Sequence, residues 1–202
     1  MTAIGEAPTA QRVTAPLAPL TPLWQLSELP ACPTLDAPDQ ELFRDGAILT
    51  AALQVGHAAE TLDLAVAYAK EREQFGKPIG SFQAIKHLCA DMLVRAEVAR
   101  AAVHAAACLA DAPDVLEAEA ASAGATPLAW QQRAVAGAKL LADEAALANG
   151  RASIQVHGGM GFTWEVPVHL AYKRARVLAT QFGTEGELAE ALAAAVTDPV
   201  TA

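Results

Sequence analysis

Two glycine-punctuated polar segments hold the side chains best suited to chemistry in this sequence of 202 residues. The first is Glu71-Arg72-Glu73-Gln74-Phe75-Gly76-Lys77-Pro78-Ile79-Gly80-Ser81-Phe82-Gln83. It offers a guanidinium at Arg72 that can fork onto a phosphate and an amide at Gln83 that both donates and accepts. The second, Gln155-Val156-His157-Gly158-Gly159-Met160-Gly161-Phe162-Thr163-Trp164-Glu165, has three glycines in four positions. Consecutive amides in such a turn can converge on a pyrophosphate or a nucleotide edge. It is not the dinucleotide fingerprint G-x-G-x-x-G, which follows a strand, because a helical pattern precedes it. Each segment alone reads more readily as an ordinary turn between helices.

Other candidates are weaker. His57, His87 and His104 lie on helical patterns, where core or surface roles outweigh metal binding, and Glu165 with His169 lacks a third ligand. The paired Glu-x-x-His motifs of a di-iron bundle are absent, so no metal site is expected. Glu165 is expected to order the glycine turn or to reach Lys173 or Arg174. Cys32, Cys89 and Cys108 form no close pair, which excludes a CxxC motif and fits a reducing, cytoplasmic setting.

The elements that must position these segments are helices. A first helix is expected over Asp39 to about Arg72, ending near Phe75-Gly76 before Pro78, with Ile48, Ala52, Val55, Leu62, Val66 and Ala69 on its apolar face. In the second, Ile85, Leu88, Met92, Ala96, Ala99, Val103 and Ala106 step by three or four. Ala112 to Ala125 reads as a solvated loop with at most a short helical turn. Thr126-Pro127 supplies a hydroxyl N-cap followed by a proline at the first helical position, and this third helix runs to His157, where Gly158-Gly159 ends it. Thr163 is expected to cap a fourth helix over Trp164 to Ala179. Thr184-Glu185-Gly186-Glu187 has the form of a capping box for a fifth. The fold class is therefore all-α, an antiparallel bundle of four to five helices over residues 41–198. Seven of the twelve prolines fall in the first forty residues, so residues 1–40 are expected to be an irregular extension.

Composition agrees and excludes some functions. Alanine makes up about a quarter of the chain and aromatic residues 5%, which favours closely packed helices. With 14 basic and 23 acidic residues the net charge is −9, a balance that disfavours nucleic acid as a partner. No apolar run approaches the length needed to span a bilayer, so no membrane association is expected.

Taken together, the two segments at their spacing resemble the C-terminal helical domain of the acyl-CoA dehydrogenase family. The likeness covers about Arg44 to Thr184, through Leu62-Asp63, Tyr68, the Arg72 to Gly76 signature, Phe82-Gln83-Ala84, and Gln155 to Glu165 followed by Pro167. An actinobacterial-type subgroup, with this glycine turn and a following Lys173-Arg174-Ala175, is the most similar. The resemblance implies helical domains paired across a subunit interface, FAD at that interface, and α,β-dehydrogenation of acyl-CoA thioesters. Carried over residue by residue, Arg72, Gln74 and Phe75 would meet the pyrophosphate and adenosine half of FAD, with Phe82 and Gln83 close by. Gln155, Gly158 and Gly159 would reach the FAD of the neighbouring subunit.

The same resemblance exposes two departures. The family's reaction needs a carboxylate that takes the proton α to the thioester carbonyl. Its usual position is occupied here by Phe182. The alternative position on the first helix falls on Gly46, leaving Asp45 and Glu185 as substitutes that a helical step of about 100 degrees turns away. The family also carries an N-terminal helical domain and a β domain, which residues 1–43 are too few to replace. The chain thus resembles a truncated or small-subunit member, associating as a homo- or hetero-oligomer with an acyl-CoA dehydrogenase homologue that supplies the missing walls and base. An electron-transfer flavoprotein is the implied redox partner. The alternative is a non-catalytic interaction subunit that keeps the bundle and the pairing surface but lacks the base.

Overall fold

Alanine sets the geometry of the bundle. A computed structural model describes residues 9–19, 21–27 and 39–197, and among them are six α-helices: α1 (Asp39–Glu71), α2 (Gln83–Asp111), α3 (Pro113–Ser122), α4 (Pro127–His157), α5 (Val168–Leu178) and α6 (Glu185–Thr197). The main core joins Ala47, Ala51, Val55 and Ala58 of α1, Ala96, Ala99, Val103 and Ala106 of α2, and Val135, Ala138, Ala142 and Ala145 of α4. Small side chains let the helices approach closely, so the core is thin and the long helices supply its length.

The connections run up, down, up, down. Gln54 meets Asp143 and Tyr68 stacks on His157, so α1 and α4 run parallel. Gln54 also reaches Ala175, and Lys139 reaches Leu178, so α5 returns antiparallel to both. At mid-height the buried Asn149 amide donates to Ala58 O (3.1 Å) and Met92 O (2.8 Å), tying three helices at one level.

Several elements stand where the sequence places them. Thr126 Oγ1 accepts from the Ala129 amide at 3.2 Å, with Pro127 at the first helical position. The Glu187 carboxylate accepts from Thr184 N and Thr184 Oγ1, both at 2.8 Å, closing the capping box of α6.

Others are corrected. Residues 113–122 form a helix, because Pro113 sits at its first turn, where a missing amide costs nothing. α5 begins at Val168, after Pro167, and Thr163 does not cap it: the Thr163 hydroxyl donates back to Met160 O at 2.8 Å. The buried face of α1 runs through Ala47, Ala51, Ala58 and Ala65, leaving Ile48 and Leu62 half-buried and Ala52 exposed. The smaller residues take the close contacts.

In the proline-rich leader, β1 (Ala10–Arg12) pairs antiparallel with β2 (Trp24–Leu26), so the described part of that segment is a two-stranded ribbon whose prolines lie in the connection. Trp24 and Leu26 are exposed. Residues 1–8 and 28–38 of the expected extension, with Cys32, lie outside the described residues. No helix is long and apolar enough to cross a membrane among the described residues.

Candidate functional site

The first corner is a β-hairpin between helices: α1 stops at Glu71, short of the end expected near Phe75-Gly76, because those two residues take positive φ in a turn instead. Strands β3 (Glu73–Gln74) and β4 (Lys77–Pro78) pair antiparallel, with Phe75 (φ 55°) and Gly76 (φ 77°) between them. Two successive positive φ values match the right-handed twist of a tight hairpin, and a phenylalanine there is strained by about 1–3 kcal/mol. The hairpin is pinned to the helix end, since Ile79 N donates to Arg72 O and Arg72 N to Tyr68 O, both at 2.8 Å. Phe75 is 91% exposed at the tip, its ring edge-on to Phe82 at 6.2 Å, and Lys77 Nζ lies 4.3 Å above the Phe82 ring. Arg72 is exposed and makes no ion pair among the described residues. Gln83 is exposed at the first residue of α2, whereas the Gln74 amide donates to Glu73 O at 2.8 Å.

The second corner separates its glycines by role. Gly158 has φ 60°, and a Cβ at Gly158 or Gly159 would meet nothing within 4 Å, so this backbone is open to a visitor. A Cβ at Gly161 would lie 2.6 Å from Ile154 O, so that glycine serves packing. Gln155 is exposed beside the open pair, and Phe162 (78%) and Trp164 (73%) project from the same turn. Glu165 is exposed without an ion pair, so it reaches neither Lys173 nor Arg174; Lys173 Nζ instead lies 4.9 Å over the Trp164 ring.

The two corners stand at one end of a single protomer. Ala65, Ala69, Met92, Ala152 and Val156 pack beneath them with Ile79 and Ile85, and the Tyr68 and His157 rings stack at 4.3 Å. Pairing of protomers is not needed to bring them together. Tyr68 enters the sequence reading only through the family likeness and His157 only as a member of the glycine segment, because nothing local marks residues 89 positions apart as a pair.

The opposite end carries the position expected of the base. Phe182 has φ 54°, and its ring occupies the space a side chain at Gly46 would need: a Cβ there would lie 2.1 Å from Phe182 Cε1. Phe43 meets the ring edge-on at 6.2 Å. The two alternative base positions therefore converge in space, and one aromatic ring fills both. Of the two substitutes, only Asp45 is engaged with a neighbour among the described residues. Asp45 accepts from Arg44 Nε at 2.7 Å, and Glu185 is exposed at the first turn of α6. A groove of about 1150 Å³ opens beside Phe182, lined by Phe43, Leu128, Val135, Leu188 and Ala191 with Gln131 and Gln132.

Behind this end lies a buried ionic group. Lys139 is fully buried, paired with Asp143 on the next turn of α4 and 3.4 Å from Leu178 O. Gln54 donates to Asp143 Oδ1 at 2.9 Å and to Ala175 O at 3.0 Å. Burial raises the Asp143 pKa more than the hydrogen bonds from Lys139 and Gln54 lower it.

An up-down helical domain with a paired hairpin and glycine turn at one end is the architecture of acyl-CoA dehydrogenase C-terminal domains. Residues 39–197 match the profile described as acyl-CoA dehydrogenase, C-terminal domain, and the chain belongs to that family. It is 39% identical over 170 residues to acyl-CoA dehydrogenase IpdE2 of Mycolicibacterium smegmatis, covering 84% of this chain and 48% of that protein. It is 48% identical over 141 residues to acyl-CoA dehydrogenase FadE34 of Mycobacterium tuberculosis, covering 69% of this chain and 18% of that one. Among solved structures, butyryl-CoA dehydrogenase from Megasphaera elsdenii superposes with a TM-score of 0.64 at 30% identity, over 76% of this chain and 36% of that one. PigA, solved with FAD and proline, gives 0.63 at 27%, again over 76% and 36%. The chain thus spans about half or less of the length of these relatives.

Proposed function

We propose that this chain is a cofactor-holding component of an acyl-CoA dehydrogenase assembly, lending its corner end to an FAD at a subunit interface. The observation that carries the reading is the pairing of an unpaired guanidinium with open glycine backbone at one end of the bundle. Arg72 would hold the pyrophosphate, with Gln74, Phe75, Phe82 and Gln83 along the adenosine half, and Gln155, Gly158 and Gly159 would close on the nucleotide from the second corner. The residues fit the group: a dianion on a chain of net charge −9 needs a local cation, and nothing blocks close approach at Gly158 or Gly159. When bound, FAD supplies the hydride acceptor for α,β-dehydrogenation of an acyl-CoA thioester.

The second requirement of that reaction, the base, must come from elsewhere. Gly46 and Arg72 are 26 positions apart on one continuous helix or its edge, about 39 Å at ~1.5 Å per residue. One protomer's base end and its corner end therefore serve different sites, and the base end offers Phe182. The chain is best read as a small subunit, in the cytoplasm, of a homo- or hetero-oligomer in which an acyl-CoA dehydrogenase homologue brings the carboxylate and covering domains, with an electron-transfer flavoprotein as acceptor. Exposed Leu42, Leu49 and Leu53 on α1 and Leu93, Val94 and Val98 on α2 supply apolar surface for such an assembly.

The alternative, a non-catalytic interaction subunit, is favoured by the Phe182 ring seated on Gly46. Purified colour separates the two. The full chain, alone or co-expressed with a glutamate-bearing homologue, is expected to carry yellow flavin, and Arg72→Ala to weaken retention roughly 10- to 100-fold, as loss of a charge-assisted contact predicts. A colourless protein in both preparations overturns the flavin reading and leaves the interaction subunit.

A further inference from the structure

We infer that Tyr68 and His157 are a positioning pair that holds the two corners in register. Tyr68 sits one turn before Arg72, and its carbonyl receives the Arg72 amide at 2.8 Å. His157 is the last residue of α4, immediately before Gly158. Their rings stack at 4.3 Å with planes 24° apart, so the stack bridges the two helix ends from which the corners spring. His157 is buried and its Nδ1 lies 2.7 Å from Ser153 O, a contact that requires the proton on Nδ1 and fixes the ring plane. No backbone hydrogen bond joins the two corners among the described residues, so the stack and the apolar cluster beneath it carry the coupling. The pair stands back from any ligand and acts through Arg72 and Gly158.

The test is reciprocal. Tyr68→Leu removes one ring; His157→Asn removes the other while keeping a donor for Ser153 O; Tyr68→Phe keeps the stack. Hydrogen exchange on the full chain is read at Arg72 and Ile79 of the first corner and at Gly158 and Thr163 of the second. Both Tyr68→Leu and His157→Asn are expected to speed exchange at both corners by roughly three- to tenfold, the size of one aromatic pair, with Met92 and Asn149 unchanged and Tyr68→Phe like the parent. Acceleration confined to the corner of the substituted helix, or spread evenly through the bundle, overturns the inference. The consequence for the cofactor rests on the proposed flavin site: the same two variants should weaken FAD affinity by a similar factor. Parent protein that takes up no FAD while the exchange pattern holds defeats the flavin site alone, whereas equal FAD affinity in parent, Tyr68→Leu and His157→Asn defeats the positioning pair.

Discussion

Replacing Gly46 by alanine tests the packing at the base end, and its sign depends on a residue 136 positions away in the sequence. A Cβ at Gly46 would fall 2.1, 2.3 and 2.6 Å from three atoms of the Phe182 ring, so the ring must leave. Alanine in a helix interior gains about 1 kcal/mol over glycine. Against that gain stands the burial of a phenylalanine that is 38% exposed, worth roughly 1–2 kcal/mol after that discount, and its edge contact with Phe43, about 0.5–1.5 kcal/mol. The loss wins, and Gly46→Ala should destabilise the parent by about 1–2 kcal/mol, or roughly 3–6 °C in Tm for a chain of this size. In a Phe182→Ala background the three nearest contacts are gone, and the same substitution should stabilise by up to about 1 kcal/mol. Urea unfolding followed by circular dichroism, with unchanged m-values, measures both arms of this cycle. Equal effects in the two backgrounds would refute the claim that Phe182 fills the space of residue 46.

The buried ion pair should respond asymmetrically: Lys139→Met alone leaves Asp143 unpaired and should cost about 3–5 kcal/mol, while Lys139→Met with Asp143→Leu should be neutral or stabilising by about 1–4 kcal/mol, checked by urea unfolding. Phe75→Asn should relieve the strain at φ 55° and raise stability by about 1 kcal/mol, yet weaken flavin retention if the exposed ring is there for the cofactor; stability and yellow colour are measured on the same preparation. Hydrogen bonds from Thr184 hold the Glu187 carboxyl below its ordinary value of 4.5. Its folded pKa is thus depressed, so the cap's contribution is present above 4.5 and is lost as pH falls through the folded value. Exchange of α6 amides should accelerate across that window, and Glu187→Gln should flatten the response.

What the sequence discloses follows from where local chemistry decides structure. Thr126-Pro127 and Thr184 to Glu187 carry their own hydrogen-bonding instructions, and both helices begin where those residues say. The α2 stripe from Met92 to Ala106 is legible because its apolar residues alternate with charged ones. α1 is apolar nearly all round, so its buried face was set by which side chains were small enough for close contact. Pro113 and Pro167 look alike as helix breakers but differ in outcome: one opens a ten-residue helix and the other delays one. The site was legible as residue types, in Arg72, Gln83, Gln155 and the glycines, and not as geometry. A hairpin with phenylalanine at a positive φ has no turn signature, and the Tyr68 stack joins residues 89 positions apart. Lys139 and Asp143, four residues apart on a helix, look like a solvated surface pair; only the fold puts them inside.

The unbroken length of α1 makes it a ruler. Excising seven residues from its middle, about two turns, would keep each face pointing nearly as before while drawing Gly46 toward the hairpin by about 10 Å and out of register with Phe182. Any assembly that docks one end of this chain on one neighbour and the other end on a second is gauged by that rod, so its spacing is written in a count of residues rather than in the chemistry at either tip.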